Sequence, residues 1–274
     1  MNASLDPNAK PTIVLIHGLW MTSLSWENWI DRYEKEGYTV LAPSWPGLEG
    51  GPEALRRDPS PLANLDATRI IDHYDRIIRE LDTPPIIVGH SFGGAFVQVL
   101  LDRGLGVAGV GVDAAATKGV LSLPLTTLRA GAGVLGNPLN FQKAVPFTRA
   151  QFKYAFGNTM TQAQSDTAYD RYQVPAAAHV LFEGALANFI PKSALEIDYH
   201  KRDRAPLLFI AGGSDHVIPA ATNRANIRKY ASTGPIVAYK EFPGRSHFTV
   251  GEAGWEQVAD FALTWAIDPI ALKV

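Results

Sequence analysis

One serine of the chain lies in a short motif flanked by glycines. The motif Gly89-His90-Ser91-Phe92-Gly93 follows the apolar run Ile86–Val88 and precedes a helical pattern that ends near Arg103. A Gly-x-Ser-x-Gly motif between a strand and a helix is typical of a tight, strained turn that projects the hydroxyl above a sheet. An ordinary serine N-cap would fit the same residues. In this context, the motif predicts that Ser91 is a nucleophile.

A serine hydroxyl is a weak nucleophile unless an imidazole accepts its proton. Of the seven histidines, His247 lies in a loop, Gly244–Phe248, after the last predicted strand and before the last helix. This loop belongs at the carboxyl edge of a parallel sheet, above the turn that carries Ser91. The other six lie on a helix, in the stretch 118–204, next to Ser91, after Asp215 or at the end of the first strand. We therefore expect His247 to be the base.

The base requires a carboxylate on its second nitrogen. Asp215 follows the strand Leu207–Ala211 through two glycines and a serine, which gives the chain order Ser, Asp, His. Asp113 follows another predicted strand and is the alternative acid at the same edge. We favour Asp215, because Asp113 also fits a capping role where the stretch after its strand begins.

Negative charge on a carbonyl oxygen requires N–H donors that are already in place. The residue after the nucleophile, Phe92, supplies one from the start of its helix. The second is expected from the loop after the first strand, His17-Gly18-Leu19-Trp20, where Gly18 lets the backbone approach. Leu19 is the predicted second donor.

Short apolar runs that alternate with helical patterns position these residues. The predicted strands are Thr12–Ile16, Tyr38–Ala42, Ile86–Val88, Val107–Val112, Leu207–Ala211 and Ile236–Tyr239. The predicted helices are Ser25–Glu36, with Ser25 as a plausible N-cap, Leu65–Leu81, Phe92–Arg103, Ala220–Tyr230 and Gly254–Trp265. The pattern indicates an α/β fold with a mainly parallel, doubly wound sheet.

The alternation stops between residues 118 and 204, where prolines punctuate short helical patterns. We interpret 118–204 as a helical cap and residues 1–117 and 205–274 as the core. Ligands of open parallel sheets bind at the carboxyl ends of the strands, beneath such a cap. The predicted substrate contacts are Trp20, Leu121, Leu125, Phe152, Phe189, Val217 and Phe248.

Composition narrows the classes of protein. The net charge is −2, so the chain has no basic excess for nucleic acid. Cysteine is absent, which excludes disulfides, thiolate metal sites and a cysteine nucleophile. The first residues do not resemble a signal peptide, and the longest apolar runs are shorter than a membrane span. We expect a cytoplasmic protein without a metal or cofactor, acting on a small molecule; its oligomeric state is not readable.

The sequence resembles the α/β-hydrolase family, especially compact bacterial esterases and cofactor-free haloperoxidases or perhydrolases. The resemblance covers Pro11 to about Trp265 and is firmest at Val14–Gly18, Gly89–Gly94, Gly212–Pro219 and Gly244–Phe248. It implies the same triad and backbone donors, and it implies that His17 orders the loop of the oxyanion donors. Trp20 occupies a position that is often proline in these relatives, which argues against perhydrolysis.

We therefore expect a carboxylic-ester hydrolase that acts through an acyl-enzyme on substrates with an apolar acyl or alcohol group. A lactonase, an amidase, a perhydrolase or an acyltransferase would share the triad. A non-catalytic binding protein of the same fold would also retain these residues.

Overall fold

A six-stranded sheet forms the centre of the molecule. The computed structural model describes residues 10–122, 124–230 and 234–271. The strands of this sheet are β1 (Ile13–Ile16), β2 (Val40–Leu41), β3 (Ile86–His90), β4 (Ala108–Val112), β7 (Leu207–Gly212) and β8 (Val237–Phe242); β5 (Ala144–Val145) and β6 (Ala176–Ala177) form a separate pair. Their spatial order is β2-β1-β3-β4-β7-β8, and every neighbouring pair is parallel. The mainly parallel sheet predicted from the sequence is confirmed.

Helices connect and flank the strands. They are α1 (Glu27–Lys35), α2 (Gly51–Arg57), α3 (Ala67–Arg79), α4 (Phe92–Asp102), α5 (Leu125–Leu135), α6 (Arg149–Ala155), α7 (Gln162–Tyr172), α8 (Ala178–Leu186), α9 (Ala220–Tyr230) and α10 (Trp255–Ile267). None of these helices, in the part of the chain that the structure describes, is long and apolar enough to cross a membrane.

The inner strands are buried on both faces, which explains their unbroken apolar runs. All residues of β1, β3, β4 and β7 are buried. Helix α4 is also buried along ten of its positions, because it packs directly behind the two central strands. A strand covered on both faces gains from apolar residues at every position, not at alternate ones.

The chain between β4 and β7 contains helices α5 to α8 and a small antiparallel pair of strands. The pair joins β5 (Ala144–Val145) to β6 (Ala176–Ala177), with Ala144 opposite Ala177. Helix α5 packs against α8, and α6 packs against α7. This inserted segment is the part that the sequence predicts as a cap.

The structure differs from the expected elements at a few boundaries. A 3-10 turn, Ser23–Trp26, precedes α1, and the side chain of Thr22 caps this turn, so Ser25 is not the N-cap. Helix α2 is not among the predicted helices. Its first turn contains Pro52, next to Gly50 and Gly51, and proline is tolerated at the start of a helix. The last strand extends to Phe242, three residues beyond the prediction.

Candidate active site

Ser91 occupies a strained turn between β3 and α4. Its φ of 56° and ψ of −119° lie outside the backbone regions that non-glycine residues normally adopt. A Cβ on Gly93 would lie 2.2 Å from the carbonyl oxygen of Ile16, so only glycine fits under the turn. The strain is held by close packing against β1, and the serine is 3% exposed.

The loop after β1 lies directly against this serine. A Cβ on Gly18 would approach the Cβ of Ser91 to 2.7 Å, so the absence of a side chain lets this backbone approach Ser91 closely. The Leu19 N–H makes no hydrogen bond to any of the described residues. Phe92 is the first residue of α4, where an N–H has no partner within the helix. Both predicted donors are therefore available beside Ser91.

His17 fixes the start of this loop. Its Nδ1–H donates to the Gly18 carbonyl oxygen (3.0 Å), and its Nε2 accepts the backbone N–H of Trp45 (3.3 Å). The ring also stacks on the Trp45 indole, with centroids 4.7 Å apart. Burial lowers the pKa of His17 from 6.5 to about 4, although its hydrogen bond to Gly18 acts in the opposite direction. A neutral imidazole with both nitrogens engaged suits a structural role.

His247 and Asp215 form a buried pair. The imidazole Nδ1–H donates to Oδ2 of Asp215 at 2.7 Å. The other oxygen of Asp215 accepts the backbone N–H groups of Val217 (2.6 Å) and Ile218 (2.9 Å). These bonds orient the carboxylate and place the proton on Nδ1, which leaves the lone pair on Nε2. Nε2 of His247 is buried and makes no hydrogen bond with any described residue, Ser91 included.

Glu252 holds the loop that carries His247, and the sequence reasoning missed it. Its carboxylate accepts the backbone N–H of Ser246 (2.9 Å) and the Ser246 hydroxyl (2.9 Å). It also accepts the hydroxyl of Thr159, from the inserted segment, at 2.8 Å. An acidic residue five positions after a candidate base, in a glycine-rich loop, was the available signal in the sequence.

Asp113, the alternative acid in the sequence prediction, lies deep beside the pair without binding His247. Its Oδ1 accepts the backbone N–H of Gly212 at 2.6 Å, and no hydrogen bond joins it to His247. Burial and the negative charge of Asp215 raise the pKa of Asp113 well above its ordinary value. This geometry ties Asp113 to the end of β7, whereas Asp215 alone of the two binds the imidazole.

The described residues contain one group whose atoms could together reach a metal ion. His90, Asp113 and His247 each offer a nitrogen or oxygen, and these atoms lie within 4.8 Å of one another. One nitrogen of each ring is already engaged, because His90 Nε2 donates to the His247 carbonyl oxygen (2.8 Å) and His247 binds Asp215. Burial and the charge of His247 lower the pKa of His90 well below its ordinary value. Each member of the group also keeps one buried atom without a hydrogen-bond partner among the described residues: His90 Nδ1, Asp113 Oδ2 and His247 Nε2.

An apolar cavity of about 150 Å³ opens beside Ser91. Trp20, Phe92 and Val217 contribute to its wall, as do residues of α5 and α8. Apart from the Ser91 hydroxyl, the hydroxyls in its described wall make hydrogen bonds: Ser122 Oγ lies 2.8 Å from Thr222 Oγ1, and Thr127 donates to the Val217 carbonyl oxygen at 2.7 Å. No charged side chain of the described residues lines it.

Five of the predicted substrate contacts do not line this cavity. Leu121, Leu125 and Phe189 are 79%, 83% and 78% exposed on the outer surface of the inserted segment. Phe152 is fully buried and stacks on Phe156, so it belongs to the core of that segment. Phe248 is directed to Tyr172 and lines a separate, more open groove of about 840 Å³ that does not include Ser91. Sequence spacing alone cannot tell the inner face of a short helix from its outer face.

Comparison with known proteins relates the chain to a protein family. A model of the alpha/beta hydrolase family matches residues 13–261. No curated protein sequence matches the chain.

Solved structures share the fold at low sequence identity. An extracellular alpha/beta-hydrolase from a Paenibacillus species, described as sharing structural and functional homology with tobacco salicylic acid binding protein 2, has a TM-score of 0.66 at 19% identity, covering 93% of this chain and 98% of that one. The monoacylglycerol lipase of Paleococcus ferrophilus has a TM-score of 0.64 at 19% identity, with coverage of 94% and 96%. A pyrethroid hydrolase from Sphingobium faniae has a TM-score of 0.62 at 19% identity, with coverage of 96% and 100%. Together with the family match over nearly the whole chain, these likenesses lead to one conclusion: the chain belongs to the alpha/beta hydrolase family.

Proposed function

We propose that the protein is a serine esterase in which Ser91, His247 and Asp215 form the catalytic triad. The observation that carries this proposal is the buried hydrogen bond between His247 Nδ1 and Asp215 Oδ2. Asp215 holds the proton of His247 on Nδ1, so that the unpartnered Nε2 is the base. This is the tautomer that a serine nucleophile requires.

The proposed reaction has two halves. Ser91 Oγ attacks the ester carbonyl carbon while Nε2 of His247 takes its proton, and the oxyanion accepts the N–H groups of Leu19 and Phe92. The C–O bond to the alcohol then breaks, and the alcohol leaves with the proton from His247. Water, deprotonated by the same nitrogen, releases the acid and restores the serine. The proposed reaction involves no cofactor or metal.

The cavity beside Ser91 supports a substrate with one apolar, uncharged group. Its volume of about 150 Å³ is similar to that of a cavity which binds benzene in another protein. Since no charged side chain of the described residues lines the cavity, a carboxylate placed there would lose its hydration without gaining a charged partner. Each methylene that leaves water for such a site contributes about 0.8 kcal/mol, roughly a fourfold gain in kcat/KM.

Hydrolysis of two ester series tests the proposed substrate class. The p-nitrophenyl acyl esters vary the acyl group, and the alkyl acetates vary the alcohol. In one series, kcat/KM should rise by about 15-fold between two-carbon and four-carbon groups, the equivalent of two methylenes. It should level off once the cavity is full, and a succinate half-ester should be a poor substrate. A flat response in both series would contradict the apolar site.

Ala185→Leu tests whether this cavity is the one that binds the substrate. Ala185 lines the cavity, so a larger side chain should shift the optimum to shorter chains. Leu186→Ala is the matched control, because Leu186 lies on the same helix with a half-exposed side chain outside the wall. Equal chain-length profiles for the wild type and Ala185→Leu would place the substrate elsewhere.

Loss of Ser91 distinguishes the enzyme from the alternatives. Ser91→Ala should abolish ester cleavage and labelling by a serine-directed phosphonate, with an unchanged melting temperature. Lactone, amide and peracid substrates assayed beside the esters separate hydrolases that would share the triad. Tight binding of a small ligand without turnover would instead favour a binding protein; one structural neighbour is described by its homology to a salicylic acid binding protein.

A further inference from the structure

Trp20 connects the loop after β1 to the inserted segment. Its carbonyl oxygen accepts the backbone N–H of Val174 (3.0 Å), and its indole N–H donates to the carbonyl oxygen of Val145 (3.2 Å). Its ring stacks on Phe147, with centroids 4.0 Å apart and planes 9° from parallel. Its ring also meets that of Phe156 edge-to-face, with centroids 6.4 Å apart. All four partners belong to the inserted segment, and three of them flank or form the strand pair β5–β6.

The backbone of Trp20 is in a conformation that tryptophan does not choose by itself. Its φ is +63°, in the left-handed region, where a bulky side chain is unfavourable. The other described non-glycine residues with positive φ are Ser91 and Asp113, which also lie at strand ends of the site. Such a conformation persists only when surrounding contacts over-determine it. For Trp20 those contacts come from the inserted segment.

The position of Trp20 gives these contacts a consequence for the chemistry. The preceding residue, Leu19, carries one of the two proposed oxyanion donors. His17 fixes the other end of the same short loop through the backbone N–H of Trp45. The direction of the Leu19 N–H is therefore set between an anchor in the core and an anchor in the inserted segment.

We propose that Trp20 is a positioning residue through which the inserted segment aligns the Leu19 N–H with the oxyanion. The same side chain forms part of the cavity wall beside Ser91, so a substrate group that fills the cavity touches the residue that holds the donor. This inference rests on the proposed esterase function. The role of Trp20 extends that function, because part of the rate of the chemical step then depends on contacts that lie outside the triad.

Two substitutions weaken the anchor from opposite sides. Trp20→Phe removes the indole N–H that binds Val145 and keeps an aromatic ring for Phe147. Phe147→Leu removes the stacking partner from the side of the inserted segment and leaves the loop sequence intact. Phe189→Leu is the matched control, since Phe189 is an exposed aromatic residue of the same segment.

The readouts separate alignment of a donor from simple packing. With a p-nitrophenyl ester, both anchor variants should lose about tenfold in kcat, with KM within twofold, since a small misplacement of one donor is costly. The Ki of a trifluoromethyl ketone, which forms the same oxyanion on Ser91, should rise by the factor that kcat/KM loses. Phe189→Leu should match the wild type in every measurement. Thermal melting shows that each variant is folded, and if Trp20→Phe does not fold, Phe147→Leu alone decides.

Several results would overturn this role. Anchor variants with wild-type kcat would refute it, as would a rise in KM alone, which would make Trp20 only a wall of the cavity. A trifluoromethyl ketone that binds the variants as tightly as the wild type would also refute it. These outcomes leave the esterase proposal intact, whereas a wild-type protein that cleaves no ester would overturn both.

Discussion

Acidification should destabilise the protein through His17. The folded protein keeps this imidazole neutral, because it is fully buried and its Nε2 must accept the backbone N–H of Trp45. Its pKa is about 4 in the folded state, against an ordinary value of 6.5 for an exposed histidine. Between these two values the unfolded chain binds a proton that the folded protein does not bind.

The sign and size of the effect follow from this difference. Stability rises with pH wherever the unfolded state holds more protons, so His17 favours folding fully above pH 6.5 and loses this contribution as the pH falls toward 4. The pKa difference of His17 then predicts a loss of about 2 kcal/mol in the free energy of unfolding between pH 7 and pH 5.

Urea unfolding of the wild type and of His17→Gln at pH 7 and pH 5 measures how much His17 contributes to the pH dependence of the free energy of unfolding. The variant should be less stable at pH 7, since its side chain cannot reproduce the stacked ring on Trp45. Its loss between the two pH values should be smaller than that of the wild type by about 2 kcal/mol.

Other buried groups do not obscure the comparison. His90, whose pKa is lowered, acts in the same direction as His17, and Asp113, whose pKa is raised, acts in the opposite direction. Both are present in the two proteins, so their contributions largely cancel in the difference; His17 itself is the smallest of the named influences on the pKa of His90. An equal pH response for the wild type and His17→Gln would refute the assignment of a neutral, buried His17.

Three further substitutions test other parts of the site. Gly18→Ala should reduce kcat by roughly 10²-fold or more, because its Cβ would displace the loop from Ser91; activity within threefold of the wild type would contradict the close approach. Glu252→Gln should lower kcat/KM by about tenfold, the equivalent of one charge-assisted hydrogen bond, and unchanged kinetics would show that the His247 loop holds itself. Phe152→Ala should cost about 3–5 kcal/mol in unfolding free energy without altering the chain-length preference, and a changed preference would return Phe152 to the substrate site.

The sheet could be predicted well from the sequence because each inner strand carries its own signal. Burial on both faces makes β1, β3, β4 and β7 continuous apolar runs, and the glycine-flanked turn at Ser91 follows directly after one of them. Chemistry at the ends of parallel strands is brought to one edge by topology alone. The approach of Asp215 to His247 could thus be anticipated from the strands that their loops follow, without knowing the detailed path of either loop.

The inserted segment and the support of the loops could not be predicted in this way. Whether Leu125 or Phe152 faces the cavity depends on how α5 and α6 are rotated and packed, and short helices with apolar residues on several sides do not encode this in their spacing. The hydrogen bond between Glu252 and Thr159 and the contacts of Trp20 join residues far apart in the chain. Such contacts arise from the packing of one segment on another and leave little trace in the local sequence.

In the proposed mechanism, Ser91 carries an acyl group between two half-reactions in which His247 moves the proton. Quenched-flow mixing with p-nitrophenyl butyrate, followed by mass analysis of the intact protein and of the peptide that contains Ser91, tests this acyl-enzyme directly. A butyryl adduct on Ser91 should appear with the release of nitrophenol and decay with turnover. No adduct should form in Ser91→Ala, and its formation should be much slower in His247→Gln. Ester cleavage by the wild type with no acyl group on Ser91, or with the group on another residue, would contradict the mechanism.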